Sequence, residues 1–594
     1  ADNTYLGFKA GFGAAGAEAS NVGVGANALL AVTTGSSNIS IGKDSSKTLT
    51  IGRYNVAIGT NSLYTEDIGD RSVAIGENAL YSQNSDSNNE TAANTAVGFS
   101  AGHTNVTGTN NTYLGYNSGY GGTGSHSNNV GIGSNALKAI TTGGYNAILG
   151  SSAGTALTDG HNNIAIGSLA LSTSTSAGLC IAIGDDAMRS GNVTAAADGS
   201  IAIGASALAA LTSGSGNTAI GYQAGLLNTT GASNTYIGYA VADATHVDST
   251  GNVAIGKNAF GGSHTTTASN YNTAVGEGAM STGALVGVDG ATAIGYSALA
   301  ALTSGARNTV TGFESGLNAT TADDNVAIGY ESMGGNVGTA LTGNDNTVLG
   351  SYAGRDMQGA ATGNTLVGKD SGIALTTGNF NVLIGRDAGD ALVDETHNTA
   401  IGTDALGASS DVNYAVIVGS QAGLGAMTTA ANGSVAVGYA SLAANTSGQR
   451  NVGVGFEALK VENDGDKATA VGYQALVAQT GTTGTTANTA IGYQAGDSIT
   501  TGIENTIVGA FSDTSAVGGN NQTVIGSGVA GQGDNTVTLG NSSVINVFAS
   551  QDGGARVHCA GIAYSGTQIA SADANTLDDY EEGTWTPTLT FGGN

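Results

Sequence analysis

A short phrase, Asn-Thr/Val-Ala-Ile/Val-Gly, returns along almost the whole chain, and nothing else in the sequence constrains the fold as much. Aligned on its closing Gly, it occurs 31 times, from Gly7, Gly25 and Gly42 to Gly526 and Gly540. The commonest interval, exact in most copies, is about 17 residues; nearly all the others are slightly longer, and only the last is shorter. A fixed period of this size means one structural unit per copy, stacked on its neighbours.

The columns of the alignment predict the unit. The residue before the Gly is Ile, Val or Leu in every copy except at Thr311, and the residue two before that is Thr, Val or Ile except at Ala147. Between them stands in most copies a small residue, usually Ala, or Tyr at Tyr5, Tyr113 and Tyr236. Period-two alternation with β-branching predicts a short strand, ended by a Gly where the chain turns. Three residues after the Gly comes Ala or Ser, with Val241 and Val529 the exceptions. The next position toggles between Gly (Gly225, Gly316, Gly496) and a larger apolar residue (Leu208, Met280, Leu459), and a second short strand is expected there. Asn opens the phrase in 22 copies, which fits a left-handed corner or a ladder of stacked side-chain amides.

Composition supports a stack of coils and excludes other classes. Of 594 residues 98 are Gly and 1 is Pro, without Gly at every third place, so the chain is not collagen. Hydrophobic residues make up 40%, against disorder. A net charge of −28 with no basic stripe disfavours nucleic acid and anionic membrane as partners. No apolar run reaches the length of a membrane span, so no membrane insertion is expected. Cys180 and Cys559 form no disulfide framework. The chain opens within a repeat, as a fragment or processed product would.

The predicted object is an all-β parallel β-solenoid or β-roll over residues 1–540, with about 31 coils of about 17 residues each, and a non-repetitive C-terminal transition or capping segment over 541–594. Each coil offers few medium-sized apolar side chains. The Ala and Ser columns then suggest a tight second face closed by other copies, and a homotrimer is the expected assembly.

Asn488-Thr489-Ala490-Ile491-Gly492-Tyr493-Gln494-Ala495 resembles the head repeat of trimeric autotransporter adhesins, a family that builds a trimeric parallel β-roll. The resemblance spans the chain up to about residue 540, with a longer period than those heads commonly show. The remainder, 541–594, holds Arg556-Val557-His558-Cys559-Ala560-Gly561-Ile562 and Leu577-Asp578-Asp579-Tyr580-Glu581-Glu582-Gly583-Thr584-Trp585-Thr586-Pro587. It resembles the segment after the repeats in tail-fibre proteins of tailed phages, marine ones especially. That resemblance implies the shaft of a virion tail appendage, with other tail proteins and a host surface glycan or protein as partners. A bacterial surface adhesin or extracellular filament is the alternative. An ice-binding solenoid ranks below both, because its Thr column is mixed with Val and Ile, as Thr218 against Val253.

No enzyme is predicted, and no catalytic, cofactor-binding or metal site. The histidines (His103, His126, His161, His246, His264, His397, His558) are scattered and expected in exposed loops. Asp185-Asp186 and Asp323-Asp324 could hold Ca²⁺ but read better as solvated turns. Gly23-Val24-Gly25 lacks the following helix and Lys of a phosphate loop. Long intervals, such as Gly76 to Gly98 with Ser85–Glu90, are expected to bulge from the rod and are candidates for receptor contact. The sequence assigns no particular residue to receptor binding.

Overall fold

The computed structural model describes residues 2–544 and 547, apart from 14–16, 88–90, 123, 263–266, 335–337 and 482–483. Each copy of the phrase forms a three-residue strand, and 31 of them make one parallel sheet from Thr4–Leu6 to Val537–Leu539. Register follows the alignment, with Val56 opposite Val73, Ala57 opposite Ala74 and Ile58 opposite Ile75. The Val56 N–H donates to the Ser72 carbonyl at 2.8 Å and the Gly59 N–H to the Ile41 carbonyl at 2.7 Å, so each strand bonds both neighbours. At about 4.8 Å per strand, thirty steps give a rod roughly 145 Å long. The closing Gly is forced twice over. Gly59 has φ +134°, and a Cβ on it would lie 2.5 Å from the Gly76 carbonyl oxygen.

The expected second strand does not form. After the Gly the chain bends through an arc in which alternate residues are left-handed, as at Asn61 (φ 56°) and Leu63 (φ 49°), or Asn78 and Leu80. The arc still stacks coil on coil. The Asn61 N–H donates to the Lys43 carbonyl at 3.0 Å and the Leu63 N–H to the Ala79 carbonyl at 2.9 Å. Left-handed Leu costs about 1–2 kcal/mol. It persists because both neighbouring coils fix the backbone.

The inside of the rod is the reverse of the expected arrangement. The middle residue of each strand, most often small, points inward, and in all but the first and last strands it is buried, as are Ala57, Ala74 and Ala96. It meets the Ala or Ser of the arc, Ala79 or Ser62 for example, which is buried inside the same chain. The small columns therefore need no other copy to cover them. The toggle in the next column is a volume exchange with the middle one. Leu63 and Leu80 fill the core in coils whose middle residue is Ala57 or Ala74. Where the middle residue is Tyr113, the arc carries Gly119, whose Cβ would lie 2.3 Å from the ring. Ile148 with Gly154 and Leu383 with Gly389 repeat the exchange.

Polar ladders run beside this core. From Asn21 on the opening Asn residues are buried, and each accepts from the next coil. Asn146 donates its N–H (3.1 Å) and Nδ2 (2.9 Å) to Asn129 Oδ1 and Nδ2 to the Gly160 carbonyl (2.9 Å); its own Oδ1 accepts from Asn163. Where Ser72 or Ala468 interrupts the series, a buried Gln supplies the missing acceptor: Asn94 Nδ2 donates to Gln83 Oε1 and Asn488 Nδ2 to Gln479 Oε1. Each Gln in turn donates to a buried carboxylate, Gln83 to Glu66 at 2.8 Å and Gln479 to Glu462. A second ladder runs two residues upstream of the Asn column, where the Ala306 N–H donates to Asp323 Oδ1 and the Asp323 N–H to Asn344 Oδ1. A third uses Thr hydroxyls on the next coil's carbonyl, as from Thr141 to Thr158 and Thr158 to Thr175, both 3.0 Å.

Candidate functional site

With the small residues inside, the β-branched columns flanking them face outward. Ile41, Ile166 and Ile328 are 38%, 39% and 45% exposed, and the Thr and Val residues two positions earlier are half-buried or exposed. The columns lie side by side along the rod. Each coil leaves on the order of 100 Å² of apolar surface here, about 3,000 Å² in all, against the few hundred Å² usual for a monomer's largest patch. One edge of the face carries the residue after the closing Gly, often aromatic. Tyr296, Phe313 and Tyr330 stack at 5.1 Å, and Tyr439, Phe456, Tyr473 and Tyr493 at 5.2, 5.1 and 4.9 Å.

The other edge is the left-handed corner five residues before the Gly. It carries Tyr54, Tyr145, Tyr271, Phe380 and Tyr414, all strongly exposed. Around Tyr145 lies an open groove of about 450 Å³, lined also by Ser127, Thr142 and His161. Left-handed φ at these non-Gly corners, such as Tyr145 at 61°, is not visible in residue type, so sequence reasoning missed this column.

The residues singled out beforehand do not converge. Asp186 pairs with Arg189 at 2.8 Å, and Asp324 accepts two bonds from Arg307 (2.6 and 2.7 Å), which hold its carboxyl below the usual range. Asp323 belongs to the second ladder. Among the described residues, no group of three His, Cys, Asp or Glu side chains could hold a metal ion. Cys180 takes an Asn place in the ladder, its N–H donating to Asn163 Oδ1 at 3.0 Å, and burial pushes its thiol up to about 11. His103 stacks between Tyr81 and Tyr120, and His397 stacks on Tyr414 with Phe380 tilted against its other side.

His126 departs from expectation. It is fully buried against the Tyr113 ring, and burial pushes its pKa down to about 4 against a smaller opposing pull from the Thr141 backbone. The Ser85–Glu90 insertion also departs at its start. Ser85 is tied inward, its Oγ donating to Glu66 Oε2 at 3.0 Å. Residues 88–90, His264, His558, Cys559 and the segment with Trp585 lie outside the described residues.

Among the described residues, no helix is long and apolar enough to cross a membrane. Comparison with protein-family models gives no match, and a search of curated proteins finds no relative.

Proposed function

We propose that this chain is the shaft of a homotrimeric attachment fibre, a tail appendage of a phage that reaches toward a host surface. The observation behind this reading is the outward column of Ile, Val and Leu, interrupted only at Thr311 and running the length of the rod, far longer than an ordinary exposed patch. Three copies set parallel about one axis would each turn that face inward, an interface of the size and apolarity of obligate assemblies. The fixed coil rise gives such a fibre length and stiffness without catalytic machinery.

Light scattering of the folded protein tests the assembly. A trimer has three times the 57.7 kDa of a single chain. Ile166→Lys with Ile220→Lys, which charges the face without touching the core, shifts the wild-type mass toward one chain. A wild-type mass of one chain removes the proposal. The same face, free in solution with its rows of Thr, Val and Ile, would then read as a surface- or ice-binding plane. Immunogold labelling separates the phage setting from a bacterial surface adhesin, since antibodies to the rod decorate purified virions in the first case and cells in the second.

A further inference from the structure

The corner column places Tyr and Arg in two distinct relations. At Tyr54 the next coil carries Arg71, whose guanidinium covers the ring at 5.7 Å from its centroid. At Tyr271 and Tyr414 a glycine coil intervenes, giving Tyr271–Gly290–Arg307 and Tyr414–Gly433–Arg450. Each of these rings has its back face occupied. Tyr271 leans over Gly251, whose Cβ would lie 2.7 Å from the ring, and Tyr414 stacks on His397 at 5.1 Å. The front faces look onto Gly290 and Gly433. A Cβ at Gly433 would meet nothing within 4 Å, and one at Gly290 only Arg307 Cγ at 4.0 Å. Tyr271 is accordingly 71% exposed and Tyr414 62%.

Two coil steps separate each Tyr from its Arg, about 9.6 Å. Stacked rings in this protein sit near half that distance, so each gap has the thickness of one ring. We propose that the two gaps are saccharide subsites, each taking one uncharged pyranose of a surface polysaccharide between the Tyr face and the Arg side chain. This inference rests on the attachment-fibre reading and names what the fibre would hold.

The chemistry of the walls selects the ligand. The apolar face of a pyranose packs on an aromatic ring, and its hydroxyls seek side-chain donors and acceptors at the edge. In the second ladder, Asp289 and Asn432 each use one oxygen to accept from the preceding coil, from Asn270 and Asn413, at 2.7 Å. That leaves the other Asp289 oxygen and the Asn432 amide N–H groups for the sugar. Asp289 beside one gap, and the pairing of Arg307 with Asp324, disfavour an anionic sugar there. The chain's charge of −28 disfavours a nucleobase on a polyanion. The gaps lie eight coils apart on one column, about 38 Å, so a single polymer chain could engage both.

Affinity electrophoresis of the full chain through native gels carrying a neutral glucan, galactan or mannan tests the proposal, with polygalacturonate as the charged control. At least one neutral polymer is expected to retard the protein. Y271A with Y414A lowers the apparent affinity tenfold or more. G290Y with G433Y does the same by filling the gaps, at corners where Tyr54 and Tyr414 show that the backbone accepts Tyr. Y54A has no effect. Absence of retardation in all three neutral gels, retardation by polygalacturonate alone, or retardation unchanged in both double variants overturns the proposal. The mass of each variant is measured in parallel, so loss of the subsites is distinguished from loss of the assembly.

Discussion

The exchange of volume between the strand's middle residue and the toggling position of the arc predicts a strong double-mutant coupling at Ile148 and Gly154. Ile148→Ala removes a fully buried side chain and leaves a cavity, at about 3 kcal/mol. Gly154→Leu overfills the same space. Its Cβ would sit 3.5 Å from Ile148 Cγ2 and from Leu137 Cδ2, leaving no room for the rest of the side chain. With left-handed strain, the cost is about 2–3 kcal/mol. The double variant recreates the Ala-plus-Leu filling of the coil with Ala74 and Leu80, so its net cost is about 1–2 kcal/mol instead of the additive 5–6. Long repeat arrays do not unfold in one step, so the readout is local: amide hydrogen exchange of strands Ala147–Leu149 and Ile164–Ile166. Ile148→Ala alone accelerates exchange there by roughly two powers of ten, and adding Gly154→Leu recovers about one of them. A double variant that exchanges at the additive rate would refute the shared-volume account.

Two further outcomes are expected. Asn146→Ala leaves the Asn163 N–H, one of the two Asn163 Nδ2 hydrogens and the Gly160 carbonyl without a buried partner, the other Nδ2 hydrogen keeping the Ala177 carbonyl. It raises local exchange by about 3 kcal/mol, at least 1 kcal/mol more than Asn398→Ala, whose Oδ1 accepts only from the Ala415 N–H. His126 is held neutral in the fold with a pKa of about 4, against an unfolded value of 6.5. The unfolded chain therefore binds the extra proton between these values. Stability is complete above pH 6.5 and falls as pH drops toward 4, by about 3 kcal/mol at most. Thermal melts of wild type and His126→Leu at pH 7 and pH 4.5 check this, since the variant lacks that part of the acid loss.

Period, strand position and the stacking of Asn were legible because each leaves a strict column in the sequence. The choice of inside and outside was not. Ile58 and Ile75 look like core residues by size, yet they face outward, and the inward place beside each holds Ala57 or Ala74 because Leu63 and Leu80 of the arc fill the space there. The arc looked like a strand because Leu63 and Leu80 are ordinary strand or helix residues, and their left-handed backbone is imposed by neighbouring coils. Gln83 and Gln479 lie eleven and nine residues from the Asn they serve, a relation no local pattern shows. The corner gaps were invisible for a similar reason. Tyr271, Gly290 and Arg307 meet only when the coil period is applied to a column with no fixed residue type.

The ladders also set how copies can lie together. In the Asn ladder the donor belongs to the later coil, as Asn163 to Asn146, whereas in the Thr and second ladders it belongs to the earlier one, as Thr141 to Thr158 and Ala306 to Asp323. Each series polarises along its own length. Because their directions oppose, and a sheet adds little net dipole of its own, the rod builds up no large end-to-end field. Were parallel rods brought into contact over their whole length, as proposed, they would meet little of the repulsion that aligned dipoles exert on each other, and every rod could share one sequence direction.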